Sequence, residues 1–511
     1  MSGSPLRGSD ITNISNLIVQ TTSNGNTVYQ LIGNLTWDPN EIQISSFVDY
    51  IELQSNEIFD GQGFRITVSI PQSEGTYDGL FSVDSTISDS SSMPMIRNLI
   101  LSYRESTMAV DAGGLVRSDC RFIHVRRCRT FGSISQTGCG GIIGSRAGSN
   151  NGYVLVEECS AGNTSLNDCL IQGDFSGGIC GQNAGQGGFC HLRSCVIQGT
   201  LFGVGCGGLC GSRAGYGEDS SGECRIEGSY VQVLFTGQSN QSGGLCGEFA
   251  GGNYGRCLIT QCFSRLQVTS TVENIGGIVG YRSAYQQGNL SILDSFVWFG
   301  VYDAIETIDG TFSGGLVGSE SGRRHGQIEL FRNYVISDDK HPSFQSGSLI
   351  GYLGANYILN GNVAERPLIF SPDEIDSNEN FLESFRQTVE ILDNDTPPTN
   401  QSDLFDFYST ETKTDQERAF AMETYCAIIN DAFTFETVDV SPSRTFVFDF
   451  TFSCGIPMTT NYPLLQRTQI ISYFINLLRQ GFSLPFERGT YWYGNSGVLE
   501  ELRGTISNQY D

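Results

Sequence analysis

The chain has 511 residues and a formal net charge of −26, from 29 basic and 55 acidic side chains. This acidity repels phosphate backbones and anionic lipid headgroups, so nucleic acid is not expected as a partner. Hydrophobic residues make up 39% of the chain and its 63 glycines have no three-residue period, which excludes a disordered chain and a collagen. The segment MSGSPLRGSDITNISN lacks the apolar core of a secretory signal, and no apolar run approaches the roughly 20 residues of a membrane span, so we expect no membrane insertion.

Residues 1–44 contain the segment NTVYQLIGNLTW, which predicts a pair of strands. An exposed end of a repetitive β-structure invites pairing with another chain. We therefore expect residues 1–44 to cap the repeats that follow.

The middle of the chain repeats the signature Gly-Gly-apolar-x-Gly. Its copies begin at residues 140, 177, 207, 243, 276 and 314, with degenerate copies at 113 and 347, so the period is about 34 residues. Each copy is followed by a polar turn and by alternating segments such as CHLRSCVIQG (190–199), which predict short strands. No proline occurs between Pro94 and Pro342, as expected if every strand donates hydrogen bonds to both neighbours. The pattern predicts an all-β solenoid over residues 45–370, a right-handed parallel β-helix with three strands per coil.

The paired glycines are expected at tight corners of each coil. Glycine tolerates a positive φ and lets neighbouring backbones approach closely.

Of the 16 cysteines, 14 lie between Cys120 and Cys262. When the repeats are aligned, two groups of cysteines share columns with aliphatic residues, namely Cys180, Cys210 and Cys246, and Cys190, Cys224 and Cys257. Such exchange predicts an apolar interior, with the cysteines filling the core as free thiols. Disulfides between neighbouring coils and a zinc site remain alternatives. Because paired CxxC motifs and clustered histidines are missing, neither a metal nor any other cofactor is predicted.

Three segments precede the glycine series: EIFDGQGFRITVSI (57–70), YDGLFSV (77–83) and MIRNLIL (95–101). Together with that series they resemble the opening of β-helical proteins carrying the GLUG repeat, within the pectin-lyase-like class. The resemblance covers roughly residues 45–365 and implies a right-handed parallel β-helix. That class includes bacterial surface adhesins, viral fibres and capsid components, and polysaccharide-cleaving enzymes, so it does not decide the function. The many cysteines look more like those of large DNA virus proteins, which implies a protein made in the host cytoplasm and located in the virion.

A polysaccharide-cleaving site would require two or three carboxylates converging on one outer face. The alignment places the acidic residues in different registers, without a recurring pair; those considered are Glu157, Glu158, Asp174, Glu227, Glu248, Asp294 and Glu320. Four isolated histidines are interpreted as surface or packing residues: His124, His191, His325 and His341. Asp60 and Asp78 each precede a glycine, which is typical of turns. No catalytic residue is therefore predicted.

The position six residues after the first glycine of the signature holds Arg146, Arg213 and Arg282, with Asn183 between the first two. An arginine stripe along a rod could bind an acidic glycan or the acidic edge of a partner. The alternative is a face whose charges are solvated or paired locally.

Residues 371–414 are acidic and rich in Pro, Ser and Asp, which is typical of a linker. Beyond them, residues 415–431 and 466–482 have apolar residues at helical spacing and residues 443–455 alternate as a strand does. The sequence thus predicts a small α+β domain over residues 415–511, which could cap the last coil, trimerise the rod or dock onto a larger assembly.

The first functional hypothesis is a non-enzymatic structural protein, a minor capsid or virion-surface component of a large DNA virus, whose partners are other protein subunits. The second is an attachment protein that binds surface glycans. The third is a carbohydrate-active enzyme whose carboxylates converge only in three dimensions.

Overall fold

Apolar and polar residues alternate over five or six positions in each repeat, and each such stretch forms a β-strand, as in FCHLR (189–193) and VIQGTL (196–201). In the computed structural model these strands build a parallel β-solenoid of about seven turns, of the right-handed type. The structure describes residues 5–37, 50–70, 76–104, 106–162, 169–217, 222–268, 272–293, 295–301, 313–322, 324, 326–331, 333–337, 357–360 and 363–364.

The strands in the first half of the described chain are β1 (Pro5–Leu6), β2 (Ile18–Ser23), β3 (Asn26–Leu31), β4 (Leu35–Trp37), β5 (Tyr50–Leu53), β6 (Glu57–Asp60), β7 (Arg65–Val68), β8 (Phe81–Val83), β9 (Met95–Arg97), β10 (Ile100–Ser102), β11 (Phe122–Arg126), β12 (Arg129–Phe131), β13 (Tyr153–Glu157) and β14 (Ser160–Gly162). Those that follow are β15 (Cys169–Ile171), β16 (Phe189–Arg193), β17 (Val196–Leu201), β18 (Glu223–Glu227), β19 (Tyr230–Phe235), β20 (Arg256–Thr260), β21 (Phe263–Val268), β22 (Asn289–Leu293), β23 (Phe296–Val301), β24 (Gln327–Phe331), β25 (Tyr334–Ser337), β26 (Tyr357–Asn360) and β27 (Val363–Ala364). Helix in the described residues is limited to α1 (Ser9–Asn13) and one 3-10 turn (Ser90–Ser92).

Successive coils stack their strands into two long sheets. Sheet I has the order β2-β3-β6-β9-β11-β13-β16-β18-β20-β22-β24-β26. Sheet II has the order β4-β7-β10-β12-β14-β17-β19-β21-β23-β25-β27, and β15 also pairs with β17. Within the described chain, the β2–β3 hairpin is the single antiparallel pair. Residues 5–37 thus contribute to the stack itself, because β3 and β4 pair in parallel with β6 and β7.

The third side of the solenoid begins as sheet III, in the order β1-β5-β8. Phe81 of β8 then pairs with Val116, the first of a column of single parallel bridges that continues through Ile143, Cys180, Cys210, Cys246, Val279 and Val317. Three sides fit the predicted three strands per coil. In the repeats, however, the third side is a pair of bridges at the glycine signature rather than a regular strand.

The signature glycines are required by close approach of the backbone and not by a positive φ. A Cβ atom on Gly208 would lie 2.3 Å from the carbonyl oxygen of Gly244 in the next coil, and one on Gly140 would lie 1.9 Å from that of Ile143. No described glycine of the signature has a positive φ. The expectation of a positive φ was therefore wrong for these glycines, whereas the expected close approach is present.

The left-handed conformation occurs six residues after the first glycine, at non-glycine side chains. The residues with φ between 54° and 62° at this position are Asp119, Arg146, Asn183, Arg213, Phe249, Arg282 and Glu320. We call this set the left-handed column. Gly148, Gly185, Gly215, Gly251 and Gly322 provide a second left-handed residue two positions later. The two positions together turn the chain from the third side toward sheet I.

Inward-facing residues of all three sides form one continuous apolar core. At the corner between sheets I and II, the backbone N–H of one coil is satisfied by a side chain of the next coil. The N–H of Cys195 donates to Ser229 Oγ at 3.1 Å, and the N–H of Cys262 donates to Ser295 Oγ at 3.2 Å. These side-chain hydrogen bonds between coils satisfy backbone N–H groups that are buried at the corner.

Several predictions lie outside the described residues. These are the glycine copy at 347, His325, His341 and Asp294, the linker at 371–414 and the α+β domain at 415–511.

Candidate interaction surfaces

The left-handed column places Arg146 beside two carboxylates. Its Nε donates to Asp119 Oδ1 at 2.5 Å and its Nη2 to Asp119 Oδ2 at 2.8 Å, in a bidentate pair. Asp119 occupies the same column one coil earlier, and Asp111 Oδ2 lies 3.6 Å from Arg146 Nη1. The Arg146 guanidinium lowers the pKa of Asp119 below its usual value. The positive charge of Arg146 is therefore balanced within the column.

Arg282 is paired in the opposite direction along the rod. Its Nε donates to Oε2 of Glu320, one coil later in the same column, at 2.7 Å. The guanidinium also lies 4.7 Å from the ring centroid of Tyr281 and 5.6 Å from that of Tyr285. An arginine held by a carboxylate and by aromatic rings has little freedom left to reach a ligand.

Arg213 is the most exposed of the three predicted binding arginines. Its guanidinium lies 5.4 Å from the ring of Tyr216, and within the described chain no carboxylate forms an ion pair with it. Asn183, which separates it from Arg146 in the column, is buried. The structure thus aligns the three arginines along one edge but balances Arg146 and Arg282 locally. Binding through this column remains a prediction.

Glu248 is a buried carboxyl between two of these arginines. Burial raises its pKa to about 7, an effect that Arg213, Ser212 and Arg282 partly offset. It directly precedes the left-handed column and is 7% exposed. Glu248 is one of the acidic residues that the repeat alignment places in different registers, without a recurring pair. Glu248 lies five residues after the first glycine of its signature, where most repeats have serine. This exchange is the feature of the sequence that could have singled Glu248 out.

The outer face of sheet I carries a second charged cluster, centred on Glu157. Its Oε2 lies 2.9 Å from His124 Nε2 and 3.7 Å from Arg126 Nε, and its Oε1 lies 3.5 Å from Arg193 Nη1. The hydrogen bond from His124 is the main cause that lowers the Glu157 pKa. Arg127 Nε reaches the neighbouring Glu158 at 2.7 Å. The cluster therefore consists of paired charges.

Glu157 and Glu227 occupy the same column of sheet I, with Arg193 between them. The expectation that these two carboxylates fall in different registers was wrong. The distance from the first signature glycine to this column is 17 residues at Glu157, 16 at Arg193 and 20 at Glu227, so alignment on the glycines shifts the strand register. Glu227 is 3.2 Å from His191 Nε2, which places both described histidines beside carboxylates.

Aromatic side chains stack beside this cluster on sheet I. The rings of Tyr153 and Phe189 are parallel within 10° with centroids 5.0 Å apart, and Arg225 lies 5.5 Å over Phe189. Both faces of the Phe189 ring are therefore in contact with neighbours, which leaves mainly its edge for a ligand.

Asp60 and Asp78, assigned to turns, also form ion pairs. Asp60 accepts from the backbone N–H of Gln62 at 3.0 Å, as a turn residue does, and from Arg97 Nε at 2.9 Å. Asp78 pairs with Arg117.

The six predicted core cysteines lie in the interior as free thiols that are 0% exposed. They form two facing columns, and Sγ–Sγ distances of 3.9 Å join Cys180 to Cys190 and Cys210 to Cys224. At the corners, burial raises the pKa of Cys195 to about 12, which keeps that thiol protonated at neutral pH. Within the described residues, no group of His, Cys, Asp or Glu is arranged to hold a metal ion.

No helix in the described part of the chain is long and apolar enough to cross a membrane. No protein-family model, curated protein or solved structure matches the chain. The parallel β-solenoid is common to the structure and to the GLUG resemblance, whereas the GLUG assignment itself rests on sequence motifs alone.

Proposed function

We propose that this protein is a non-enzymatic structural component of a large assembly, with the solenoid acting as a rigid spacer. The observation that carries the proposal is the pairing of surface charges between coils. Arg146 with Asp119, Arg282 with Glu320, and Glu157 with Arg193 each join successive coils of the stack. Such pairs, added to continuous backbone ladders, connect each coil to the next and resist bending.

The finer assignment is a minor capsid or virion-surface protein of a large DNA virus, with other shell subunits as partners. It is supported by the resemblance of the cysteine-rich glycine repeats to such proteins. A core of buried free thiols also fits folding in a reducing cytoplasm, because it requires no oxidant. The test is whether the protein is recovered in fixed proportion to the major shell protein of purified particles.

A second candidate is a glycan-binding attachment protein, favoured by the aromatic pair on sheet I. Tyr153 and Phe189 are half-buried on the outer face, next to His124, His191 and the Glu157 cluster. Aromatic rings beside a few polar or charged groups are typical of the lining of small-molecule sites. Binding to a glycan array that Tyr153→Ser abolishes, and that Leu258→Ser elsewhere on the same face leaves intact, would support this candidate over the first.

A further inference from the structure

Six free thiols face one another inside the solenoid, in three successive coils. All six are 0% exposed. They form one column on the third side and one on sheet I, namely Cys180, Cys210 and Cys246, and Cys190, Cys224 and Cys257. Each of these coils therefore places a thiol of the third side opposite a thiol of sheet I.

The geometry favours a bond across the interior over a bond along a column. Cysteines stacked in one column have parallel side chains, so their Cβ atoms stay about 4.8 Å apart. A disulfide requires Cβ atoms about 3.5–4.5 Å apart. Cys180 and Cys190 instead lie on two walls of the same coil, and their Sγ atoms approach to 3.9 Å. Cys210 and Cys224 repeat this arrangement in the next coil, also at 3.9 Å.

The two facing cysteines of a coil flank the turn that contains the left-handed column. In the first of these coils the left-handed residues Asn183 and Gly185 follow Cys180, and the facing cysteine is ten positions further along the chain than Cys180. In the next coil, Cys210 and Cys224 are fourteen positions apart. A covalent bond between facing cysteines thus closes a short loop and opposes local opening of the corner.

Cys224 is the thiol of this group that ionises most readily. Hydrogen bonds from Cys190, Cys210 and Cys257 lower its pKa well below the ordinary value of a thiol, although burial opposes the effect. Thiol–disulfide exchange proceeds through the thiolate. The group therefore contains a nucleophile with a second cysteine within reach.

We propose that the pairs Cys180–Cys190 and Cys210–Cys224 are oxidation sites, at which a low-molecular-weight or protein disulfide acts as oxidant and two disulfide bonds form in the core. In each pair, one thiolate attacks the disulfide of the oxidant and displaces one thiol. The second cysteine then attacks the mixed disulfide and displaces the other. Each pair loses two electrons and two protons, and the oxidant is reduced to two thiols. Oxidation at these pairs is independent of the function proposed above.

Burial slows this reaction in both directions. The oxidant reaches the thiols only when the corner opens, because the thiols are 0% exposed. The same burial protects the finished bonds from reductant. We therefore expect bonds that form slowly and that persist when a reductant is added to the folded protein.

The first test is disulfide mapping of the full chain. Protein purified under reducing conditions is incubated with glutathione disulfide, then denatured, alkylated and digested without reduction. Incubation continues until the amide hydrogens of residues 182–189 have exchanged, so that the corner has opened. Peptides joining Cys180 to Cys190 and Cys210 to Cys224 are expected. Alkylation of all four cysteines, a bond along a column such as Cys180 to Cys210, or stable mixed disulfides with glutathione would overturn the proposal.

The second test measures the effect of the bonds on stability. Oxidation should raise the melting temperature of the wild type by about 5 °C, because two short loops are closed. The double variant Cys190→Val, Cys224→Val should lose this rise, and valine fits the column because Val154 occupies it one coil earlier. The control Cys195→Ser removes a cysteine outside the pairs, at a corner where the next coil has Ser229, and should keep the rise. An equal rise in the double variant, or its loss in Cys195→Ser, would contradict the proposal.

Discussion

Arg282 and Glu320 occupy the same left-handed position in successive coils, each with φ of 54°, and their side chains are joined at 2.7 Å between Nε and Oε2. Arg146 and Asp119 form the equivalent pair nearer the N-terminus. The column therefore acts as a charge ladder that connects coils.

The first prediction concerns this ladder. Arg282→Gln should lower the free energy of unfolding by about 1 kcal/mol, because the pair is partly buried and supported by aromatic rings. Arg213→Gln is the matched control in the same column and should cost less, since Arg213 forms no ion pair with a described carboxylate. Urea unfolding of both variants at pH 5 is the measurement, because Glu248, whose pKa is about 7 and which Arg213 also influences, is then protonated and does not add to the effect of either variant. An equal loss of unfolding free energy in the two variants would show that the Arg282–Glu320 pair contributes no stability.

The second prediction concerns Glu248. Its pKa in the folded protein, about 7, lies above the ordinary 4.5, so the folded state binds more protons than the unfolded state between these values. Stability should therefore fall as the pH rises from about 4.5 to about 7, by an amount on the order of 3 kcal/mol. Glu248→Gln should remove this loss and raise the melting temperature at pH 8 more than at pH 5.

Arg213→Gln should have the opposite effect to Glu248→Gln on stability at high pH. Arg213 lowers the pKa of Glu248, so its removal should deepen the loss of stability toward pH 8. Thermal unfolding profiles of the wild type and both variants between pH 5 and pH 8 test the pair. Parallel profiles for all three proteins would show that the pKa of Glu248 is not raised by burial.

The third prediction concerns the glycine signature. Gly208→Ala should destabilise the fold by several kcal/mol, on the order of 3, because its Cβ would lie 2.3 Å from the carbonyl oxygen of Gly244 and 2.4 Å from Val231 Cγ1. Gly25→Asn, at a hairpin tip with φ of +81° and open space, should have little effect, since asparagine tolerates that conformation. Comparable melting temperatures for the two variants would be inconsistent with the described packing.

The fourth prediction separates two kinds of cysteine. Cys210 lies in an apolar column between Cys180 and Cys246, which valine and isoleucine continue on either side, so Cys210→Ser should cost about 2 kcal/mol by burying an unpaired hydroxyl. Cys195 lies at a corner whose equivalent in the next coil is Ser229, so Cys195→Ser should cost clearly less. Denaturant titration under reducing conditions measures both. A larger loss for Cys195→Ser would contradict this division.

Much of the fold could be predicted from the sequence, because each coil repeats the same local pattern of glycines and alternating apolar residues. The glycine spacing indicated the coils, and exchange of cysteine with aliphatic residues placed Cys180 and Cys190 in the interior. The left-handed column was not predicted, since arginine and glutamate are not residues that normally indicate a positive φ. The shared column of Glu157 and Glu227 was missed because loops of different length separate the glycines from sheet I.

Burial of Tyr230 and Phe263 could not be predicted from local pattern either. YVQVLF and FSRLQV alternate as any half-exposed strand would, and nothing in this pattern distinguishes the buried first residue of each strand from its more exposed outward neighbours.

If the proposed function is right, the protein is a stoichiometric part of a large assembly. The most direct measurement is quantitative mass spectrometry of intact particles purified from the native source, combined with cross-linking. We expect recovery in a fixed ratio to the major shell protein, with cross-links between the two. Absence from particles, with the protein free in lysate or medium, would contradict the structural role and favour glycan binding or carbohydrate cleavage.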